Sequence, residues 1–227
     1  ECKGLDIDAQ YLPSSQVGGD FYDFYKLSST KFALCVADVS GKGVPASLLM
    51  AICQTSLRHY VNKSRMPSAV LKKLNQDLEM RIREDMFITI FLATIDTQAN
   101  TLTYARAGHE PALLAKAKKK GDLSIEKLHG SGMALGMVPS DLFEETIEDQ
   151  TVPFETDDLL VLFTDGVTEA ENEEKEEFGI DRLCETLASS TSSKANVFNR
   201  KLLSELDDYS SDSFERDDLT IVAVKRV

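Results

Sequence analysis

Apolar residues recur along the chain with two alternating periods. Over residues 16–39, Phe32, Leu34 and Val36 alternate with smaller partners, and the spacing predicts two short strands around a turn at Ser28-Ser29-Thr30. From 44 to 61 the period lengthens to that of a helix. Leu48, Leu49, Ile52, Ser56 and Leu57 recur there behind Pro45, a residue suited to a first turn. A second helix is predicted over about 67–84, after Pro67, on Val70, Leu71, Leu74 and Leu78. Residues 87–95 and 101–107 predict a hairpin closed over 96–100, and 111–117 with 123–128 predict another, turning at Lys120-Gly121-Asp122. Strands near 144–151 and 158–164, helices near 179–188 and 195–207, and a last strand at 219–225 complete the series.

Hairpins impose antiparallel pairing, so this order predicts an α+β layered fold and excludes a doubly wound parallel sheet. The run 159–163 (LLVLF) is apolar at every position, as a strand covered on both faces must be. No internal repeat is visible, and the Ser-rich stretch 189–193 and the polar stretch 207–216 read as surface loops. The expectation is one domain spanning residues 1–227.

Charge narrows the function. The chain carries 25 Lys and Arg against 38 Asp and Glu, a net −13, which argues against nucleic acid as a partner. The acidity is local: residues 141–185 hold 17 Asp and Glu against Lys175 and Arg182. No run of apolar residues is long enough to span a membrane, and the start does not read as a signal peptide. Cys2, Cys35, Cys53 and Cys184 are scattered and form no C-x-x-C, so neither zinc nor a disulfide framework is implied, and a reduced, cytoplasmic setting is expected. An opening Glu1 in place of Met points to a piece cut from a longer protein.

Four places set an Asp at the end of an apolar run beside Gly or another Asp: Gly18-Gly19-Asp20, Asp38-Val39-Ser40-Gly41, Thr164-Asp165-Gly166 and Asp217-Asp218-Leu219. Taken singly, each is equally a turn signal. Taken together, carboxylates at strand ends would repel one another, and a bound dication relieves that. Oxygen-only ligands select Mg²⁺, Mn²⁺ or Ca²⁺ over zinc.

The ordered set VGGDFYD (17–23), ADVSGKG (37–43), AGHEP (107–111), LFTDGVTEA (162–170) and FERDDLTIV (214–222) resembles the PPM-type metal-dependent protein serine/threonine phosphatases, within them the bacterial RsbU/SpoIIE branch. The resemblance covers nearly the whole chain. It implies an αββα sandwich of two antiparallel sheets flanked by helices, and two Mn²⁺ or Mg²⁺ ions. By resemblance, Asp38 bridges the ions, Val39 offers its carbonyl, Asp165 and Asp217 are further ligands, and Asp20 binds directly or through water. Gly19, Gly166 and Asp218 are expected to support them, Asp218 because animal relatives carry Asn there. The implied reaction is in-line attack on phosphoserine or phosphothreonine by a metal-activated water. The implied substrate is a phosphorylated STAS-type regulator in partner switching of sigma factors. An upstream sensor or regulatory domain in the full-length chain is also implied, and a homodimer is admitted.

Two departures stand out. Residues 1–8 offer only Lys3 where many eukaryotic members use an Arg on the substrate phosphate, so the phosphate is expected to rest mainly on the metals. Gly108-His109-Glu110-Pro111 lacks the Asp that helps hold a third ion, hence the expectation of two.

Other features read more plainly. Gly41-Lys42-Gly43 could cradle an anion before its helix or serve as a flexible turn, and it lacks the frame of a P-loop. His59 and His129 have no partner motif, residues 116–120 read as a solvated hairpin tip, and Met50 and Met86 read as core. The run 169–177 is no EF-hand, because Ala170 occupies the obligatory glycine position. The helices over 44–61 and 67–84 follow directly on Asp38 and Val39, so a regulatory element acting on them could move ligands; plain packing explains them equally. The rivals to a protein phosphatase are a catalytically silent interaction module of the same fold and an enzyme of small phosphate esters or nucleotides.

Overall fold

The computed structural model describes residues 3–64, 66–83, 85–117, 123–190, 193–210 and 217–227. The chain runs β1 (Leu5–Leu12), β2 (Phe21–Lys26), β3 (Lys31–Val39), α1 (Val44–Val61), α2 (Pro67–Leu78), β4 (Ile88–Asp96) and β5 (Thr101–Ala107). It continues with β6 (Ala112–Ala117), β7 (Leu123–Leu128), α3 (Ser140–Thr146), β8 (Gln150–Pro153) and β9 (Leu159–Phe163). The last elements are α4 (Asp165–Thr168), α5 (Gly179–Ala188), α6 (Ala195–Tyr209) and β10 (Leu219–Arg226).

Two five-stranded sheets form, one ordered β1-β10-β9-β6-β7 and the other β2-β3-β4-β5-β8. Every strand pair is antiparallel. The two-residue period of β3 explains the layering. Phe32, Leu34 and Val36 face the other sheet, where they meet Leu160, Leu162, Val222 and Val224. Ala33, Cys35, Ala37 and Val39 face outward onto Leu49, Cys53 and Leu57 of α1 and Leu71 and Leu74 of α2. β9 is used the same way, with Leu159, Val161 and Phe163 turned outward onto Phe198 and Leu202 of α6. The result is the four-layer αββα sandwich, with three apolar strata between the layers.

Turn chemistry holds the hairpins. The Ser28 hydroxyl accepts from the amides of Thr30 and Lys31, and Asp96 Oδ1 accepts from those of Gln98 and Ala99. The turn expected at 120–122 lies outside the described residues.

The structure corrects several expected elements. Residues 144–151 do not form one strand: α3 occupies Ser140–Thr146, and β8 starts only at Gln150. Phe143 and Ile147, four apart, bury one helical face after Pro139, and that spacing overrides the strand-like composition. α2 ends at Leu78, short of residue 84; the amides of Arg81 and Ile82 bond back to the Leu78 carbonyl, a tight turn that returns Ile82 to the core. α6 runs on to Tyr209, into the stretch read as loop. β1 and the one-turn α4 were not among the expected elements, although β1 alternates Leu5, Ile7, Ala9 and Tyr11 with Asp6, Asp8 and Gln10. β1 is an edge strand, intermediate in burial along most of its length, and the register with β10 defines it.

Candidate metal centre

Antiparallel pairing decides where the carboxylates go, because the end of one strand lies beside the start of its neighbour. Asp38, near the end of β3, and Asp20, just before β2, therefore share one edge, with Phe21 facing Ala37. Asp165, just past β9, and Asp217 and Asp218, just before β10, share the matching edge of the other sheet, with Ile221 facing Phe163. Between these edges lies a cavity of about 350 Å³ whose wall includes Asp38, Val39, Asp165, Asp217 and Asp218.

Asp20 lies beneath this wall and does not line the cavity. Its Oδ2 accepts hydrogen bonds from the hydroxyls of Thr164 and Thr220, each at 2.7 Å, so two threonines of one sheet hold a carboxylate of the other. Burial, then the charge of Asp38, pushes the Asp20 carboxyl up to about 8. Burial, then the charge of Asp165, pushes Asp38 up to about 6, against a hydrogen bond with Asp20. Asp165 is raised as well, by burial and by Asp217. This mutual repulsion is what a dication would relieve.

Asp218 behaves differently. Burial pushes its carboxyl up, but hydrogen bonds outweigh burial and hold it below the ordinary range. Oδ1 accepts from the Ser14 amide at 2.7 Å and the Ser14 hydroxyl at 2.8 Å, and Oδ2 accepts from the Gly19 amide at 2.7 Å. Both oxygens thus anchor the loop that delivers Asp20. Glycine is demanded by close approach here. A Cβ on Gly166 would stand 2.1 Å from the Asp218 carbonyl oxygen, and one on Gly19 would stand 2.9 Å from that of Val39.

Sequence reasoning missed Thr164, Thr220, Ser14 and the part His109 plays. His109 is buried, its Nε2–H donates to the Phe163 carbonyl at 3.1 Å, and its Nδ1 accepts from the Thr89 hydroxyl at 2.8 Å. A carbonyl only accepts, which assigns the proton to Nε2. Burial pushes the imidazole down to about 4, so it is neutral. Arg106 secures the same loop by donating to the main-chain oxygens of His109 and Gly130. The signal available in sequence was a threonine within two residues of an aspartate at two strand ends, Thr164-Asp165 and Asp218-Leu219-Thr220.

The donors fit Mg²⁺ or Mn²⁺. Asp38, Asp165, Asp217 and the Val39 carbonyl present oxygen alone, and no cysteine lines the cavity. Among the described residues no three acidic, histidine or cysteine side chains close into a ready cage.

An αββα sandwich with aspartates at the facing strand ends defines the class of the PP2C, or PPM, phosphatase domains. The family model described as "Stage II sporulation protein E (SpoIIE)" matches residues 28–227, and the chain belongs to that family. It is 33% identical over 228 residues to phosphoserine phosphatase RsbU of Bacillus subtilis (strain 168), covering 99% of this chain and 64% of that protein. The chain thus spans less than two thirds of that relative's length. The SiaA-PP2C domain of Pseudomonas aeruginosa matches with TM-score 0.84 at 22% identity, over 96% of this chain and 85% of that one. RsbX in complex with magnesium matches with TM-score 0.71 at 16% identity, over 100% of this chain and 98% of that one. At such identities the two structures speak for the fold.

Proposed function

We propose that this chain is the catalytic domain of a metal-dependent phosphatase acting on phosphoserine or phosphothreonine of a STAS-type partner-switching regulator. The observation that carries the reading is the convergence of Asp38, Val39, Asp165 and Asp217 on the wall of one cavity. The family membership, the name of RsbU and the magnesium complex of RsbX support it.

In this reading Asp38, Asp165, Asp217 and the main-chain oxygen of Val39 would hold the ions, since all of these residues line one cavity. When bound, the ions supply a water of lowered pKa as nucleophile and offset charge on the phosphoryl oxygens. Asp20 backs Asp38 and is itself fixed by Thr164 and Thr220. Asp218 holds the loop before Asp20, and Gly19 and Gly166 let the backbones close on it. Neutral His109 ties β4, which pairs with the strand of Asp38, to the end of β9 before Asp165, through Thr89 and Phe163.

The regulatory part of the proposal rests on α1. Val44, Leu48 and Ile52, four residues apart, form an exposed apolar stripe on the helix that follows Asp38. An upstream element of the full-length protein, or a second copy, would cover it. Among the described residues no helix is long and apolar enough to cross a membrane.

The test replaces Asp38 or Asp165 with Asn and measures Mn²⁺-dependent phosphate release from phosphorylated STAS-type regulators of the same genome and from a chromogenic ester. Abolished release with both substrates is expected. Undiminished activity in either variant would sink the assignment, and hydrolysis of the ester alone would favour the small-ester rival.

A further inference from the structure

The cavity that must admit a phosphate dianion is walled by carboxylates, and among its described lining residues the one charged base is Lys42. The side chain is placed there by the backbone. Gly41 and Gly43 on either side hold φ of +90° and +75°, a region that glycine enters without strain. A Cβ on either would meet nothing within 4 Å, so it is the backbone conformation, and not crowding, that calls for glycine. The loop joins the end of β3, which carries Asp38, to the start of α1.

The ammonium of Lys42 lies 3.5 Å from Asp217 Oδ2, and both side chains are well exposed. An exposed pair at that distance is weak and readily exchanged. The first turn of α1 holds no acid and Gly43 has no side chain to cap it, so no carboxylate of the helix's own first turn opposes an arriving anion.

We propose that Lys42 binds a non-bridging oxygen of the substrate's phosphoryl group, exchanging its contact with Asp217 for one with the dianion. The inference rests on the phosphatase reading and deepens it. The phosphate does not rest on the metals alone; a lysine of the ADVSGKG motif meets it as a point charge. In the reaction Lys42 is a substrate-binding group, and it transfers no proton.

The test compares wild type, Lys42→Ala and Lys42→Arg by titrating inorganic phosphate calorimetrically into the Mn²⁺-loaded chain. The KM and kcat for a chromogenic ester and a phosphoserine peptide, and the Mn²⁺ affinity, are measured alongside. Losing a charge-assisted contact should weaken phosphate binding by about tenfold to a hundredfold in Lys42→Ala and raise KM in proportion, with Lys42→Arg recovering most of it. Mn²⁺ affinity should hold or tighten, because Asp217 loses a competing cation. Unchanged phosphate affinity, or a loss matched by an equal loss of Mn²⁺ affinity, overturns the proposal. Phosphate binding that depends on Lys42 without turnover of any ester would defeat the phosphatase reading and leave the anion site standing. Turnover with phosphate affinity indifferent to Lys42 would do the reverse.

Discussion

His109 donates its Nε2–H to the carbonyl of Phe163, two residues before Asp165, and so joins the AGHEP loop to the strand end that carries a candidate ligand. With Nδ1 accepting from Thr89, the cross-strand partner of Asp38, one neutral imidazole spans both edges of the cavity. Burial holds its folded pKa near 4, below the ordinary 6.5. The unfolded chain therefore binds the extra proton between those values, and stability due to His109 is full above about pH 6.5 and lost as pH falls toward 4. At 1.36 kcal/mol per unit this amounts to roughly 3 kcal/mol. His109→Gln should flatten the difference in denaturant stability between pH 7 and pH 4 relative to wild type; an unchanged difference would show that the imidazole does not titrate on unfolding.

Asp218 should act as an anchor. Asp218→Ala strips the partners from the Ser14 and Gly19 amides. A loss of about 2–3 kcal/mol is expected, read by urea unfolding, together with weaker Mn²⁺ binding because Asp20 is no longer held. If Mn²⁺ affinity fell with no loss of stability, Asp218 would be a ligand instead.

Thr164→Val and Thr220→Val each remove one hydroxyl from Asp20 at nearly constant volume. Each should cost about 1–2 kcal/mol, and the pair should be non-additive because both serve one oxygen. Strict additivity in a double-mutant cycle would deny a shared acceptor.

Val39 separates side chain from backbone. Its side chain is buried against α1, and only its main-chain carbonyl can offer an oxygen to the cavity that the residue lines. Val39→Ala should cost about 1–3 kcal/mol of stability and leave Mn²⁺ affinity within about twofold, since the main-chain oxygen remains. A large loss of affinity in a folded variant would place the ligand elsewhere.

Gly166→Ala should be the most damaging of these changes. The new methyl would lie 2.1 Å from the Asp218 carbonyl oxygen, a backbone atom that cannot step aside without moving β10. A drop in soluble yield and in thermal midpoint is expected. A variant as stable as wild type would mean that the β9–β10 edge is looser than its packing implies.

The periodicities carry a clear record of β3, β4, β5, β9, α1 and α5, because each buries faces whose spacing is written in adjacent residues. β1 bears the same kind of mark, Leu5, Ile7, Ala9 and Tyr11 alternating with Asp6, Asp8 and Gln10, yet stood outside the expected elements; its register against β10 shows it to be a strand. α3 differs for another reason. Phe143 and Ile147 suit a strand or a helix by type, and the choice fell to a core that only the assembled layers create.

The same division runs through the site. Which residues could bind a hard cation was legible, since Asp beside Gly at the ends of apolar strands is a local chemical fact. Which of them share a wall was decided by the tertiary structure. Antiparallel pairing brings residues 20 and 38, and 165 and 217, to common edges, and stacking the sheets turns those edges toward one cavity. Folding also separated roles that looked alike: Asp20 went beneath the wall into the grip of two threonines, and Asp218 spent both oxygens on a loop. A single chain shows residue types and spacings, but hydrogen-bond partners some 200 residues apart exist only once the sheets are stacked, as with Asp20 and Thr220.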